Sequence, residues 1–449
     1  MYSTHASRLP ETVNNVANTF SMGDATRREK FCFSVSTVAE ILSGQVEHVE
    51  KETAHSMCGM FLRTLAFFVA VVSLAGKWVK DLLNSAQKCG NGLPKLYYTN
   101  SPLLEYLLNN CRILSQPYQP TFWARNGHVQ TLMWKLLPHE QMEFQREYIE
   151  MRDKGIVGID WVNLPKHNKM MFARRPILII IPEIASECFD VVQICWEADQ
   201  HGYRPVIFNR RGHGGVPLTT PKLQSFGDTA DLREAIRYIQ RTNKCSKLTA
   251  LGISTGCSLL LSYLGDFGSS ANLEAAVCIS PMYDYHELAK TTRQPYHWLK
   301  LQKYKYFLTK HCNVLGGSID LDKAFASSSL GEWEKSVYGR MCKLDDEDEY
   351  WDENNPLREV DEIAVPLLCI NSKDDPISTS GQIPYDLFTT LPNLLLVTTK
   401  HGGHCGFYED VNPQSWAFRL SMDYIASVLK YSAIVTNSIK FQNNKVLFR

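Results

Sequence analysis

The chain has 449 residues, with 47 Lys+Arg against 47 Asp+Glu and a formal net charge of zero; 44% of it is hydrophobic and 11% aromatic. Balanced charge argues against a nucleic-acid binder, which carries a basic excess or patch, and the aromatic content excludes a mainly disordered chain. The 13 cysteines include no C-x-x-C pair, a spacing that fits neither a zinc site nor a compact disulfide framework, so free thiols in a reducing compartment are expected.

Residues 1–56 are polar early and apolar from Phe31 to Leu42, and read as a tail ending in a short helix. Residues 57–76, MCGMFLRTLAFFVAVVSLAG, carry a single charge at Arg63. Twenty residues at the helical rise span about 30 Å, the thickness of a bilayer's hydrocarbon. No polar face recurs between Leu65 and Ala75, so a transmembrane anchor is expected rather than a surface helix. Lys77, Lys80 and Lys88 follow the segment, while Glu47, Glu50 and Glu52 outnumber Lys51 before it. The positive-inside rule then places the C-terminal bulk in the cytosol, and the absence of any Asn-x-Ser/Thr site agrees. Residues 77–114 read as a linker. A single-pass protein, in the endoplasmic-reticulum membrane, is the expected location.

Beyond Phe122 strands and helices alternate. Pro176–Pro182 (PILIIIP) is a short continuous apolar run, the mark of a strand buried on both faces. A helical stretch over Phe189–His201 leads to the strand Arg204–Asn209. Asp228–Arg241 sets Leu232, Ile236 and Ile239 at helical spacing, with Asp228 or Thr229 placed to cap it. Lys247–Ile253, Ser254–Leu264 and Leu273–Ile279 continue as strand, helix and strand. Such alternation predicts βαβ units, hence a mostly parallel sheet with helices on both faces.

About residues 283–356 the rhythm breaks into a helical stretch rich in Tyr and Lys, ending in the acidic run LDDEDEYWDE, read as a solvated face. Strands resume at Val365–Asn371 and Leu394–Thr398. An insertion between core strands predicts a lid over the sheet's C-terminal edge, where ligands bind in open α/β sheets.

Gly252-Ile253-Ser254-Thr255-Gly256 is a G-x-S-x-G pattern at a predicted strand-to-helix junction, the setting of a strained turn that exposes a serine hydroxyl. A serine hydroxyl is a poor nucleophile until an imidazole takes its proton and a carboxylate orients that imidazole. In this class of fold the order is Ser, Asp/Glu, His. Asp375, beside Asp374, follows the strand VPLLCIN, and His404 follows LLLVT, so Ser254, Asp375 and His404 are the expected triad. At this point either Asp374 or Asp375 satisfies the position. The N–H of Thr255 and, from the loop Pro182-Glu183-Ile184-Ala185, the N–H of Ile184 are the expected oxyanion donors. His401, His404 and Cys405 lack a further ligand nearby; no metal and no cofactor are expected.

The segments TFWARNGHVQTL (residues 121–132), HGYRPVIFNRRG, YLGDFGSS and HGGHCGF resemble the membrane-anchored lipases and esterases of the α/β-hydrolase domain-containing family. The resemblance covers residues 115–435, leaving 436–449 as a C-terminal tail. It implies an α/β-hydrolase fold with a helical lid, an N-terminal membrane anchor, and lipid esters as substrates. It also selects Asp375, since the family's acid stands 29 residues before its histidine, as Asp375 does before His404. Family members are usually drawn with the catalytic domain across the membrane from the N-terminus. One branch is associated with control of fat-cell lipolysis through a partner, which implies a second reading: a hydrolase-fold regulator engaging a signalling enzyme, with little turnover. Many hydrolases of this fold carry His-Gly where this chain has Pro182-Glu183, and an ionised glutamate there would oppose an oxyanion.

Overall fold

Five consecutive apolar residues, Ile177–Ile181, form a strand in which every side chain is buried, as a strand covered on both faces requires. It lies inside a nine-stranded sheet made of β1 (Lys95–Tyr98), β2 (Phe144–Glu150), β3 (Ile156–Val162), β4 (Ile177–Ile181), β5 (Arg204–Asn209), β6 (Leu248–Ile253), β7 (Ala275–Ile279), β8 (Leu367–Ser372) and β9 (Leu394–Thr399). The computed structural model describes residues 92–137, 142–163, 173–186, 191–284, 295–339, 341, 347–410 and 414–447.

The strands lie in the order β1-β9-β8-β7-β6-β4-β5-β3-β2. From β5 across to β9 every neighbouring pair is parallel, whereas β1–β9, β2–β3 and β3–β5 are antiparallel. The principal helices are α1 (Pro102–Asn110), α2 (Gly127–Leu136), α3 (Val192–Gln200), α4 (Ala230–Thr242), α5 (Thr255–Phe267), α6 (Tyr296–Thr309), α7 (Leu330–Glu334) and α8 (Trp416–Leu447). This is the α/β-hydrolase architecture, a mostly parallel sheet flanked by helices.

The twofold alternation of a strand divides the interior. Leu178, Ile180 and Ile207 join a cluster on one face with Trp416, Phe418 and Ile425 of α8. Ile177, Ile179, Ile181 and Phe208 join a cluster on the other with Leu232 and Ile236 of α4 and Leu260 of α5. Each such fully buried aliphatic side chain contributes about 1.5–3 kcal/mol. A third cluster packs Leu301, Tyr304 and Phe307 of α6 with Trp333 of α7, Tyr338 and Tyr350, and it reaches Ile184 and Met282 at the end of the sheet. The insertion is therefore a hydrophobic cap with its own core. Within the acidic run, Tyr350 is buried and Trp351 packs on the same cluster, so that stretch presents an apolar side inward and is not solely a solvated face.

The structure corrects two expectations, on residues 77–114 and 436–449, and adds two details. The sheet begins within residues 77–114, because β1 pairs with β9 at the sheet edge and α1 packs Leu104 and Leu107 into the core. β2 and β3 lie before the first strand read from the pattern; β2 reads FQREYIE, and its inward residues are too few to announce it. Residues 436–447 are not a tail but the end of the 32-residue helix α8. At α4 it is Asp228 whose carboxylate accepts from Ala230 N–H (3.2 Å), while the Thr229 hydroxyl donates to Asp266 (2.7 Å).

The apolar window 57–76 lies outside the described residues. Among those described, no helix is long and apolar enough to cross a membrane.

Candidate active site

β6 ends at Ile253 and α5 begins at Thr255, leaving Ser254 alone to turn the chain. Its φ is +53°, a conformation that L residues avoid, at a cost of about 1–3 kcal/mol. The flanking glycines let backbone close on backbone: a Cβ on Gly256 would lie 2.1 Å from Ile181 O, and one on Gly252 would lie 2.8 Å from Cys257 Cα. The small residues of the pentapeptide are thus dictated by the approach of α5 to β4 and by the tightness of its own turn.

The structure brings Ser254, His404 and Asp375 into one hydrogen-bonded row. His404 Nδ1 and Asp375 Oδ2 are 2.8 Å apart, and His404 Nε2 and Ser254 Oγ are 2.8 Å apart. A carboxylate only accepts, so in the neutral imidazole the proton sits on Nδ1 and Nε2 is the acceptor for the serine hydroxyl. Asp375 Oδ1 is engaged separately, accepting from Ile377 N–H (2.7 Å) and Ser378 N–H (2.9 Å). That fixes the carboxylate plane and leaves Oδ2 for the imidazole. Burial alone would lower the His404 pKa, but the Asp375 carboxylate outweighs it and holds His404 above the ordinary imidazole value. All three side chains are nearly closed to solvent; Ser254 is 1% exposed.

Asp374 faces elsewhere. Its Oδ1 accepts from Ser372 Oγ and Gly403 N–H, both at 2.9 Å, and its Oδ2 lies 3.3 Å from His401 Nδ1. Of the two adjacent acids, one orients the histidine and the other ties down the loop that carries it. His401 is accordingly a neighbour of the Asp374 carboxylate, and no group of metal-binding residues occurs among the described residues.

More of the loop's support lies far off in sequence. Thr131 Oγ1 accepts from His404 N–H (2.9 Å), Gln130 Oε1 accepts from Tyr408 N–H (2.8 Å), and Ser280 Oγ accepts from Cys405 N–H (2.9 Å). Gln130 and Thr131 belong to α2, whose N-terminus is capped by Asn126, so the segment TFWARNGHVQTL clamps the histidine loop. Its residues were visible in the sequence as a motif, but nothing local signalled this role.

The oxyanion side departs from expectation. Thr255 N–H heads α5, where a first-turn amide has no partner within the helix. The expected second donor is committed: Ile184 N–H donates to Thr255 Oγ1 at 2.8 Å. The threonine hydroxyl sits within reach of the loop after β4 and satisfies a buried amide that would otherwise be left bare. The neighbouring Glu183 does not stand as an isolated charge. Its carboxylate lies 2.9 Å from Lys135 Nζ of α2 and 3.6 Å from Lys303 Nζ of α6. Burial would raise its pKa, yet Lys135, Lys303 and Lys300 together hold it well below the usual carboxylate range. Glu183 therefore joins α2 and α6 across the loop, its charge met by ammonium groups.

Comparison with known proteins places this geometry in a family. The family profile described as Serine aminopeptidase, S33 (Hydrolase_4) matches residues 173–327, which run from before β4 through the serine turn and into the insertion. Human Protein ABHD15 is 36% identical over 322 residues, covering 70% of this chain and 69% of its own. Human Phospholipase ABHD3 is 27% identical over 352 residues, covering 75% of this chain and 85% of its own. Mouse Monoacylglycerol lipase ABHD2 is 27% identical over 373 residues, covering 75% and 86%. With the sheet order, the strained serine turn and a relative of this identity matching 70% of its length, the chain belongs to the α/β-hydrolase domain-containing family of serine hydrolases.

Proposed function

We propose that the protein is a membrane-associated serine hydrolase that cleaves lipid carboxylic esters. The observation that carries this reading is the row from Asp375 through His404 to Ser254, both links at 2.8 Å, on a strained turn. Ser254 Oγ attacks the ester carbonyl while His404 Nε2 takes its proton, and the resulting imidazolium is stabilised by Asp375. His404 then gives that proton to the departing alkoxide, leaving an acyl-serine. Water, deprotonated by His404, cleaves the acyl-serine and restores the hydroxyl. Thr255 N–H donates to the oxyanion, and the sequence requires no cofactor or metal for these steps. Because Ser254 is 1% exposed, the site must open before a substrate enters.

Lipid esters as the substrate class rest on the family and on two relatives whose names are a phospholipase and a monoacylglycerol lipase. Membrane attachment rests on the apolar window 57–76, with the hydrolase domain on the cytosolic side of the endoplasmic-reticulum membrane by its flanking lysines. Full-length protein in membrane fractions is expected to stay in the pellet after alkaline carbonate extraction; recovery in the supernatant would remove the anchor from the proposal.

Labelling with a fluorophosphonate probe tests the chemistry. The wild type is expected to label and Ser254→Ala to lose the label entirely, while its thermal melt stays close to that of the wild type. Absence of Ser254-dependent labelling would leave the second reading, a hydrolase-fold regulator of lipolysis that engages a signalling enzyme. The engagement of Ile184 N–H by Thr255 is what favours that alternative, since it leaves the oxyanion short of one expected donor.

A further inference from the structure

Arg210 follows β5 directly, in the sequence Asn209-Arg210-Arg211-Gly212. The two arginines differ completely in their surroundings. Arg211 is matched by two carboxylates: Nε donates to Asp231 Oδ2 at 2.6 Å and Nη2 to Asp153 Oδ1 at 2.9 Å. Arg210 is 3% exposed and, among the described residues, pairs with no carboxylate. Its Nη2 reaches Thr255 O at 3.4 Å, a long contact, and its buried Nε and Nη1 have no hydrogen-bond partner among the described residues.

Arginine stays protonated in proteins, so an unmatched guanidinium is a buried cation as well as a set of bare donors. Burial pulls its pKa down to about 10 against the opposing phenols of Tyr338 and Tyr304, and it remains charged at neutral pH. Its other electrostatic neighbour, the buried His213, offers no negative charge: burial, helped by the guanidinium, holds that imidazole below its ordinary value. A group of this kind destabilises the free protein unless something supplies negative charge. Its position is the second observation. Its hydrogen bond goes to the carbonyl of Thr255, the residue after the nucleophile and the first of α5. The phenols around it come from the cap, Tyr304 on α6 and Tyr338 just beyond α7, so the cap and the nucleophile turn meet at this guanidinium.

We propose that Arg210 is a specificity-determining residue that binds an anionic oxygen group carried by the ester substrate close to the scissile bond, so that the preferred substrate is an anionic lipid ester rather than a neutral glyceride. This rests on the hydrolase reading for the word substrate, though not for the anion site itself. A phosphate and a carboxylate both match a guanidinium, which presents planar, directional donors to such groups.

The test uses the full chain in detergent with three short-chain glycerol diethers that cannot be hydrolysed: one neutral, one bearing a phosphate and one a hemisuccinate. Each is titrated against fluorophosphonate labelling of Ser254 and, in parallel, against the thermal melt. At least one anionic diether is expected to protect Ser254 at a concentration at least tenfold below the neutral one, and the better of the two identifies the oxygen group. Arg210→Met is expected to erase that difference, and Arg210→Lys to keep part of it. Equal protection by all three, or a preference that survives in Arg210→Met, overturns the proposal. Equal protection by inorganic phosphate at the same concentrations overturns its lipid part. If Ser254 does not label at all, the hydrolase reading fails and the melt alone decides the anion site by the same criteria. The unliganded melt of Arg210→Met separates binding from structure: a Tm equal to or above that of the wild type is expected. A Tm several degrees lower, or failure to fold, assigns Arg210 to the fold and overturns the proposal.

Discussion

Replacing Asp375 by Asn is expected to slow Ser254 labelling and ester hydrolysis by about 10⁴-fold, with little change in fold. The reason lies in which oxygen does what. Oδ1 holds Ile377 N–H and Ser378 N–H, and the carbonyl of an asparagine can keep both. The amide nitrogen then falls where Oδ2 faced His404 Nδ1 at 2.8 Å. An NH₂ there forces Nδ1 to accept, moves the ring proton to Nε2, and turns that nitrogen from base to donor toward Ser254. The pH profile carries the same logic. A general base works as the neutral imidazole, so the wild-type labelling rate should rise with pH through the His404 pKa, and that inflection should lie above the ordinary value of 6.5 because Asp375 raises it. In Asp375→Asn the raising charge is gone and burial remains, so the inflection moves down. Asp374→Asn is the control: it weakens the tie to Gly403 and His401 and lowers stability, with an inflection close to that of the wild type. Equal losses in the two variants, or an unmoved inflection in Asp375→Asn, would sink the assignment.

Residues were legible where local pattern and chemistry coincide. The fully buried runs of β4, β6, β8 and β9 announce themselves as apolar strands, and the serine, acid and histidine stand just beyond three of them. What the pattern hides is of two kinds. The peripheral strands β1 and β2 are buried on one side at most and carry charges, so their hydropathy resembles that of loops. Likewise α8 begins immediately after a short bridge and continues past the point where the family motifs end, with no proline or glycine to mark its extent. The second kind is contact between residues distant in sequence. Thr131 supports His404 across 273 positions, and Ile184 meets Thr255 across 71. No window of sequence contains such a pair, and both decide how the site is held.

The Ile184–Thr255 contact leads to the second large effect. Thr255→Val is expected to raise the hydrolysis rate of a small p-nitrophenyl ester at least tenfold while lowering stability. Valine keeps the shape of threonine and removes only the hydroxyl, so Ile184 N–H loses the acceptor it now has at 2.8 Å. Ile184 is 1% exposed, and an unsatisfied buried amide costs about 1–3 kcal/mol. That cost falls on the resting protein. In the transition state the developing oxyanion offers the amide a partner again, so the barrier shrinks by whatever part of the cost the oxyanion recovers. One well-placed oxyanion donor is worth about 10²–10³ in rate, which bounds the gain from above. Thr255→Ser keeps a hydroxyl and should behave as wild type, which distinguishes loss of the hydrogen bond from loss of packing. The Glu183 side of the loop gives no comparable gain: its charge is already met by Lys135 and Lys303, and removing it leaves those ammonium groups to repel one another between α2 and α6. A rate in Thr255→Val at or below wild type would mean that the Ile184 amide does not face the reacting carbonyl. The resting hydrogen bond would then be a structural tie rather than a brake on turnover.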